Sequence, residues 1–295
     1  MDAKKVQVRL AETAGFCFGV QRAVDTVYRI LEREAAKPEA ERRQIYTYGP
    51  IVHNDTVVRG LQEKGVRVLE SEEALRSLRE GIVIIRAHGV PERIYTLLSE
   101  RGLETIDASC PFVQKIQRLV KKHTEQGERV FVVGNPEHPE IVGIMGHAHG
   151  EAFVLPDRES AEKLPVSEGE RVFVVAQTTF HIEKFKVIVD ILRKRGYYVN
   201  VINTICNATF ERQAEARELA GASDAMIVIG GSSSSNTKKL FEICKASCPN
   251  TQLVQTAADL KFYSDGAVRN VGITAGASTP KEIIEEVLTY VRNEF

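Results

Sequence analysis

Three of the five cysteines, Cys17, Cys110 and Cys206, stand 93 and 96 residues apart, and each opens a run with helical spacing of apolar residues. The runs are FGVQRAVDTVYRILERE, PFVQKIQRLVKKHTEQG and NATFERQAEARELAGA. A period this long constrains the fold more than any single motif, because each repeat must be built as the same supersecondary unit. The match continues beyond the helices. A β-rich run follows each (QIYTYG, RVFVVGN, AMIVIGG), then a second helix and a second strand (RVLE, EAFVL, TQLVQT). A third strand comes next (GIVIIRAHG, RVFVVAQTT, RNVGITAGAST), with helices predicted from near Pro91, His181 and Pro280. In the first two repeats a final strand, LETIDAS or YYVNVINTI, leads straight into the next cysteine. The third repeat lacks that strand, and VQVRLAETAGF ahead of Cys17 has the character to supply it. Alternating strands and helices imply parallel sheets with right-handed crossovers. The predicted fold is therefore α/β: three pseudo-threefold-related units with parallel sheets around a central site. The units are 15–109, 110–205 and 206–295, the last completed by strand 6–14.

Ligands of open parallel sheets bind beyond the carboxyl ends of the strands, and the polar loops of all three repeats lie at such ends. The first loop places His53, His138 and Asn236 at 36, 28 and 30 residues from the preceding cysteine. The second places His88, Thr178 and Ser278 at 71, 68 and 72. A cysteine at a helix start meets free N–H groups and the positive dipole end, which favours the metal-ligating thiolate. Three such thiolates suit one iron–sulfur cluster with an iron left open for substrate, since such clusters usually take four cysteines. Zinc on the three cysteines is the structural alternative. Cys244 and Cys248 have no counterparts in the other repeats and are read as core residues.

His53, His88, His138, Ser234, Ser235, Asn236 and Ser278 are donors suited to an anionic, oxygen-rich ligand. GGSSSSNT and TAGAST, each leading into a helix, have the physics of phosphate cradles. Neither a GxxxxGK[ST] loop nor a GxGxxG fingerprint is present, so a small phosphate or diphosphate is expected rather than a nucleotide. Glu140, two residues after His138, is the candidate proton donor, its pKa raised if it is enclosed. His123, His147, His149 and His181 have no matching partners and are read as structural or exposed.

Composition narrows the partners. A net charge of −1 offers no nucleic-acid footprint, and no run approaches the ~20 apolar residues of a membrane span. MDAKKVQVRL lacks an apolar signal region, and an odd number of cysteines without a CxxC pair does not read as a disulfide framework. A cytoplasmic protein with no membrane or nucleic-acid partner is expected.

The motifs AGFCFGVQRAV, YGPIVHN, RAHGV, DASCPFV, GNPEHPEIVG, AQTTF, NTICNATFERQ, GGSSSSNT and GITAGAST occur in that order over essentially the whole length. In them the chain resembles the 4-hydroxy-3-methylbut-2-enyl diphosphate reductase family of the non-mevalonate isoprenoid pathway. The resemblance implies one 4Fe-4S cluster on Cys17, Cys110 and Cys206, with the substrate hydroxyl on the open iron. It implies a diphosphate held by His53, His88, His138, Ser234, Ser235, Asn236 and Ser278, with Glu140 as proton donor and Thr178 ordering the alcohol. It further implies an external electron donor such as ferredoxin or flavodoxin. The reaction implied is reductive dehydroxylation, giving isopentenyl and dimethylallyl diphosphate. A non-redox iron–sulfur hydro-lyase acting on a small phosphorylated substrate is the alternative that the residues alone leave open.

Overall fold

Strands and helices alternate along the chain as the periodicity predicts. The computed structural model describes residues 6–165, 168–261 and 268–294. Its strands are β1 (Gln7–Leu10), β2 (Ile45–Tyr48), β3 (Arg67–Leu69), β4 (Ile82–Ile85), β5 (Glu104–Asp107), β6 (Arg129–Val133), β7 (Ala152–Leu155), β8 (Arg171–Ala176), β9 (Tyr198–Val201), β10 (Ala225–Ile229), β11 (Thr251–Val254) and β12 (Asn270–Ala275). Its helices are α1 (Phe18–Ala35), α2 (Asp55–Glu63), α3 (Glu72–Ser77), α4 (Glu92–Glu100), α5 (Pro111–Glu125), α6 (Pro139–Met145), α7 (Arg158–Glu162), α8 (Ile182–Lys194), α9 (Asn207–Gly221), α10 (Ser235–Ser247) and α11 (Lys281–Glu294).

The strands form three four-stranded parallel sheets with one shared order: β3-β2-β4-β5, β7-β6-β8-β9 and β11-β10-β12-β1. In each, the first and third strands of the repeat are central and the second and fourth are edges. The N-terminal strand takes the fourth place in the third sheet, with Gln7 opposite Asn270 and Leu10 opposite Ile273. It is shorter than the expected 6–14. Ala11 still donates its N–H to Ile273 O, but those of Glu12 and Thr13 turn to the Glu215 carboxylate, which ends the ladder.

Parallel strands covered on both faces read as continuous apolar runs, and β4 (IVII) and β10 (AMIVI) are buried at every position. Alternate residues serve opposite faces. In the second sheet, Phe131, Val172 and Val174 pack with Phe185 and Ile188 of α8, whereas Val130, Phe173 and Val175 pack with Ile116 and Val120 of α5. In the third, Ile227 and Ile273 face Ile284 and Val287 of α11, whereas Met226 and Val228 face α9 and α10. Cys244 and Cys248 lie in that last cluster, 0% and 3% exposed, as core residues should be.

The chain divides into two compact units. One holds the residues up to Val20, His53–Val57 and those from Asn207 onward; the other holds Gln21–Val52 and Val58–Cys206. The second therefore carries two sheets and the first carries the third.

One carboxylate anchors the end of α1. Glu34 is 3% exposed and bonds Lys37 Nζ (2.8 Å) and the backbone N–H and guanidinium of Arg43 (3.0 and 3.2 Å). Burial works to raise its pKa, but the bonds from Lys37 and Arg43 outweigh it and hold the group at about 2. A depressed carboxylate contributes stability above its unfolded pKa and loses it as pH falls through the folded one. Glu34→Gln should cost about 1–3 kcal/mol at neutral pH. That difference should shrink as pH falls from about 4.5 to about 2, as denaturant melts of both proteins across that range will read.

Candidate functional site

The three cysteines sit alike. Each immediately precedes its helix: Cys17 before α1, Cys110 as the cap of α5, Cys206 before α9. Each is half-buried, unlike the buried Cys244 and Cys248. Each donates its N–H to the loop after the third strand of its sheet: Cys17 to Ala277 O (3.2 Å), Cys110 to Ala87 O (2.9 Å) and Cys206 to Thr178 O (3.1 Å). Burial pushes the Cys244 thiol up to about 12, which leaves it a protonated core group. Thiols at helix starts with the amide already engaged fit a thiolate-ligated metal group in donor chemistry.

Strand register refines the alignment of the loops. Ile85, Ala176 and Ala275 are equivalent ends of the third strands, paired with Tyr48, Val133 and Ile229. Counting from them, His88 and Ser278 correspond to Thr179, and Thr178 corresponds to Ala87 and Ala277. Spacing from the cysteines does not align Thr179 with His88, because insertions elsewhere in the repeats hide a shift of one. Counting from strand ends would have found it. In the first loop, His138 caps α6 and Ser234 caps α10, so Asn236 corresponds to Glu140, each the second residue of its helix. His53 instead precedes the cap of α2, Asn54, whose Oδ1 accepts the Val57 N–H at 3.1 Å.

Within the larger unit, four predicted residues come together. The Glu140 side chain is almost fully buried, 2% exposed, and its two oxygens accept from Thr178, N–H at 2.6 Å and Oγ1 at 2.7 Å. His138 Nδ1 accepts the Glu140 N–H at 3.1 Å, so in this arrangement its other ring nitrogen carries the proton. The rings of His88 and His138 meet edge to face, centroids 5.5 Å apart. Within the other unit, Ser278 Oγ donates to His53 O at 2.9 Å, and Ser234 Oγ accepts the Thr237 N–H at 3.3 Å. Ser234, Asn236 and Ser278 are 5%, 4% and 6% exposed. Ser235 Oγ accepts from Lys239 at 2.9 Å.

The unmatched histidines have structural places. His123 stacks on Phe173 at 3.5 Å, and His149 contacts Glu92 and Glu125. His147 Nε2 contacts Val90 O at 3.0 Å, with burial pushing its pKa down. His181 caps α8 just as His138 caps α6, accepting the Glu183 N–H at 3.2 Å. The cap role alone thus does not single out His138; the buried glutamate that follows it does.

A family model described as "LytB protein" matches residues 8–292. The chain belongs to the LytB protein family. Among curated relatives, the 4-hydroxy-3-methylbut-2-enyl diphosphate reductase of Caldanaerobacter subterraneus subsp. tengcongensis is 40% identical over 288 residues, 98% of this chain and 97% of that protein. The protein of the same name from Pelobacter propionicus is 44% identical over 283 residues, 96% of each chain. A solved structure of (E)-4-hydroxy-3-methyl-but-2-enyl diphosphate reductase, described as the terminal enzyme of the non-mevalonate pathway, is 39% identical with a TM-score of 0.67, covering 98% of this chain and 99% of that one. The Plasmodium falciparum E-1-hydroxy-2-methyl-but-2-enyl-4-diphosphate reductase aligns at 28% identity with a TM-score of 0.87, covering 98% and 88%. The three-sheet architecture is thus that of the LytB fold. Among the described residues no helix is long and apolar enough to cross a membrane.

In this LytB chain Thr178 donates to both side-chain oxygens of the buried Glu140. Thr178→Val keeps the backbone bond and removes the hydroxyl. It should destabilise the protein by about 1–2 kcal/mol, read from urea midpoints at pH 7.

Proposed function

We propose that the protein reductively dehydroxylates 4-hydroxy-3-methylbut-2-enyl diphosphate to isopentenyl and dimethylallyl diphosphate. The observation that carries this is the threefold recurrence of a half-buried cysteine at a helix start, its amide tied to a loop at the carboxyl end of its own sheet. Relatives with that printed activity, matching almost the full length, support it. In this reading Cys17, Cys110 and Cys206 hold one 4Fe-4S cluster. When bound, it supplies one-electron reduction and, at an iron with no protein ligand, a Lewis acid for the substrate hydroxyl. The division of the chain into 15–109, 110–205 and 206–295, with the N-terminal strand completing the third unit, belongs to the same proposal.

The protein's own residues then have separable tasks. His53, His88, His138, Ser234, Ser235, Asn236 and Ser278 bind and orient the diphosphate, which fixes where the hydroxyl lies. Hydroxide is a poor leaving group, so a proton must reach that oxygen as the C–O bond breaks. Glu140 is the candidate donor. Its side chain is withdrawn from water and its orientation is set by Thr178, whose hydroxyl also orders the substrate alcohol in this reading. Electrons come from an external one-electron carrier such as ferredoxin or flavodoxin, in a cytoplasmic setting.

The decisive assay is anaerobic turnover of the diphosphate with and without reduced donor. Product should form only with reductant; turnover without it would favour the hydro-lyase. Glu140→Gln should bind substrate with near-parent affinity while turnover falls by about 10²–10⁴, and near-normal turnover would remove Glu140 from the donor role. Cys110→Ser should lose most of its iron and its brown colour, read by iron analysis and visible absorbance, and a full iron complement there would sink the ligand assignment.

A further inference from the structure

A ligand on a loop is placed no better than the loop itself. The segment ahead of Cys17 is held at both its carbonyls and its amides by α9, the helix that opens after Cys206. Arg212 Nε donates to Thr13 O at 2.8 Å and its Nη2 to Gly15 O at 2.7 Å. One turn along the helix, Glu215 accepts the N–H of Glu12 at 2.6 Å and of Thr13 at 2.9 Å, together with the Thr13 hydroxyl. Burial works to raise the Glu215 pKa, but these bonds hold the carboxyl below the usual range. Arg212 is only 4% exposed. Glu215 also attracts Arg212 electrostatically, so a buried guanidinium and a carboxylate together hold one short stretch of backbone ahead of Cys17.

The larger unit repeats the device. Arg22 of α1, five residues after Cys17, donates to Ser109 O at 2.8 Å and reaches Asp107 O at 3.4 Å, on the segment that leads into Cys110. On the same segment, Asp107 Oδ1 accepts the Ser109 N–H at 2.8 Å, while its Oδ2 accepts from Tyr95 OH at 3.1 Å and from Gln114 of α5 at 3.0 Å. The loop before Cys206 is held differently, by Thr204, whose hydroxyl bonds both the N–H and the O of Ala176.

We propose that Arg212 and Arg22 are positioning residues for the Cys17 and Cys110 sulfurs, each tying the helix that opens at one cysteine to the approach of another. This rests on the reading of the three cysteines as cluster ligands. The interlock makes the placement of one sulfur depend on the helix started by a second. A planar fork presents donors in fixed directions from separate nitrogens to two carbonyls, a geometry that the single nitrogen of a lysine does not reproduce.

The test uses the anaerobically reconstituted full chain with Arg212→Lys, Arg22→Lys and Glu215→Gln. Arg43→Lys, whose arginine bonds Glu34 and Glu104 instead, serves as a structural control. Four quantities are read: iron per chain, the rate of iron release to a chelator, the midpoint reduction potential, and the thermal midpoint of the iron-free protein. The first three variants should release iron about 10–100-fold faster than the parent, in line with the cost of losing outer-shell partners of metal ligands. Their potentials should shift, and the faster iron release should exceed what any fall in the iron-free thermal midpoint accounts for by comparison with Arg43→Lys. Arg43→Lys should lower the thermal midpoint and leave iron release and potential unchanged. Parent-like release and potential in the three variants would overturn the proposal, as would changes that merely track the thermal midpoint as in the control. Should Arg212→Lys fail to fold, Glu215→Gln, which keeps the arginine, and Arg22→Lys decide the matter by the same criteria. A parent that takes up no iron at all overturns the cluster reading and this inference together, whereas iron uptake with parent-like variants overturns only the inference.

Discussion

The hydrogen bond on which the arrangement depends is the one from each cysteine amide to a carbonyl two residues beyond the end of the third strand in its sheet. It occurs three times with three different acceptors, Ala87, Thr178 and Ala277. A backbone acceptor is indifferent to side chain, which is why an alanine serves twice and a threonine once. The bond sets each thiol beside the polar loop of its own sheet and at the start of a helix, where the dipole favours negative charge. Everything else asked of these loops, from caps to ligand donors, is added to that frame.

The loops have diverged on it. At one equivalent position stand His88, Thr179 and Ser278; at the second residue of the first-loop helix stand Glu140 and Asn236. A threefold scaffold by itself would present a threefold site, yet a five-carbon diphosphate has distinct ends. In the proposed reaction one end needs a proton and the other needs neutral and cationic donors. In that proposal Glu140 serves the first end, where it is buried and its side chain is oriented by the N–H and hydroxyl of Thr178. Asn236, its counterpart, carries no charge to repel a phosphate.

Much of the fold was legible because parallel sheets buried on both faces write long apolar runs, and each predicted strand run contains a strand of the structure. The borrowed N-terminal strand was also readable, since the third repeat lacked a strand that the others had. The register of the loops was less so. Counting from the cysteines matched Thr178 to His88 because spacing along a chain accumulates every insertion in between, whereas register within a sheet does not. The short β1 was unreadable in principle: Glu12 and Thr13 suit a strand, but their amides were claimed by Glu215, some two hundred residues away.

By itself, the sequence determined the repeat, the alternation of strands and helices, the three matched cysteines and the polar character of the loops. All of these follow from local periodicity and from residue types at fixed offsets. Only the tertiary structure decided which carbonyl each cysteine amide meets, that Thr178 closes over Glu140, and that Arg212 and Arg22 reach the approaches to Cys17 and Cys110. Arg212 reads as an exposed helix charge until packing withdraws it from water, and the bonds both arginines make to backbone carbonyls leave no mark in a sequence.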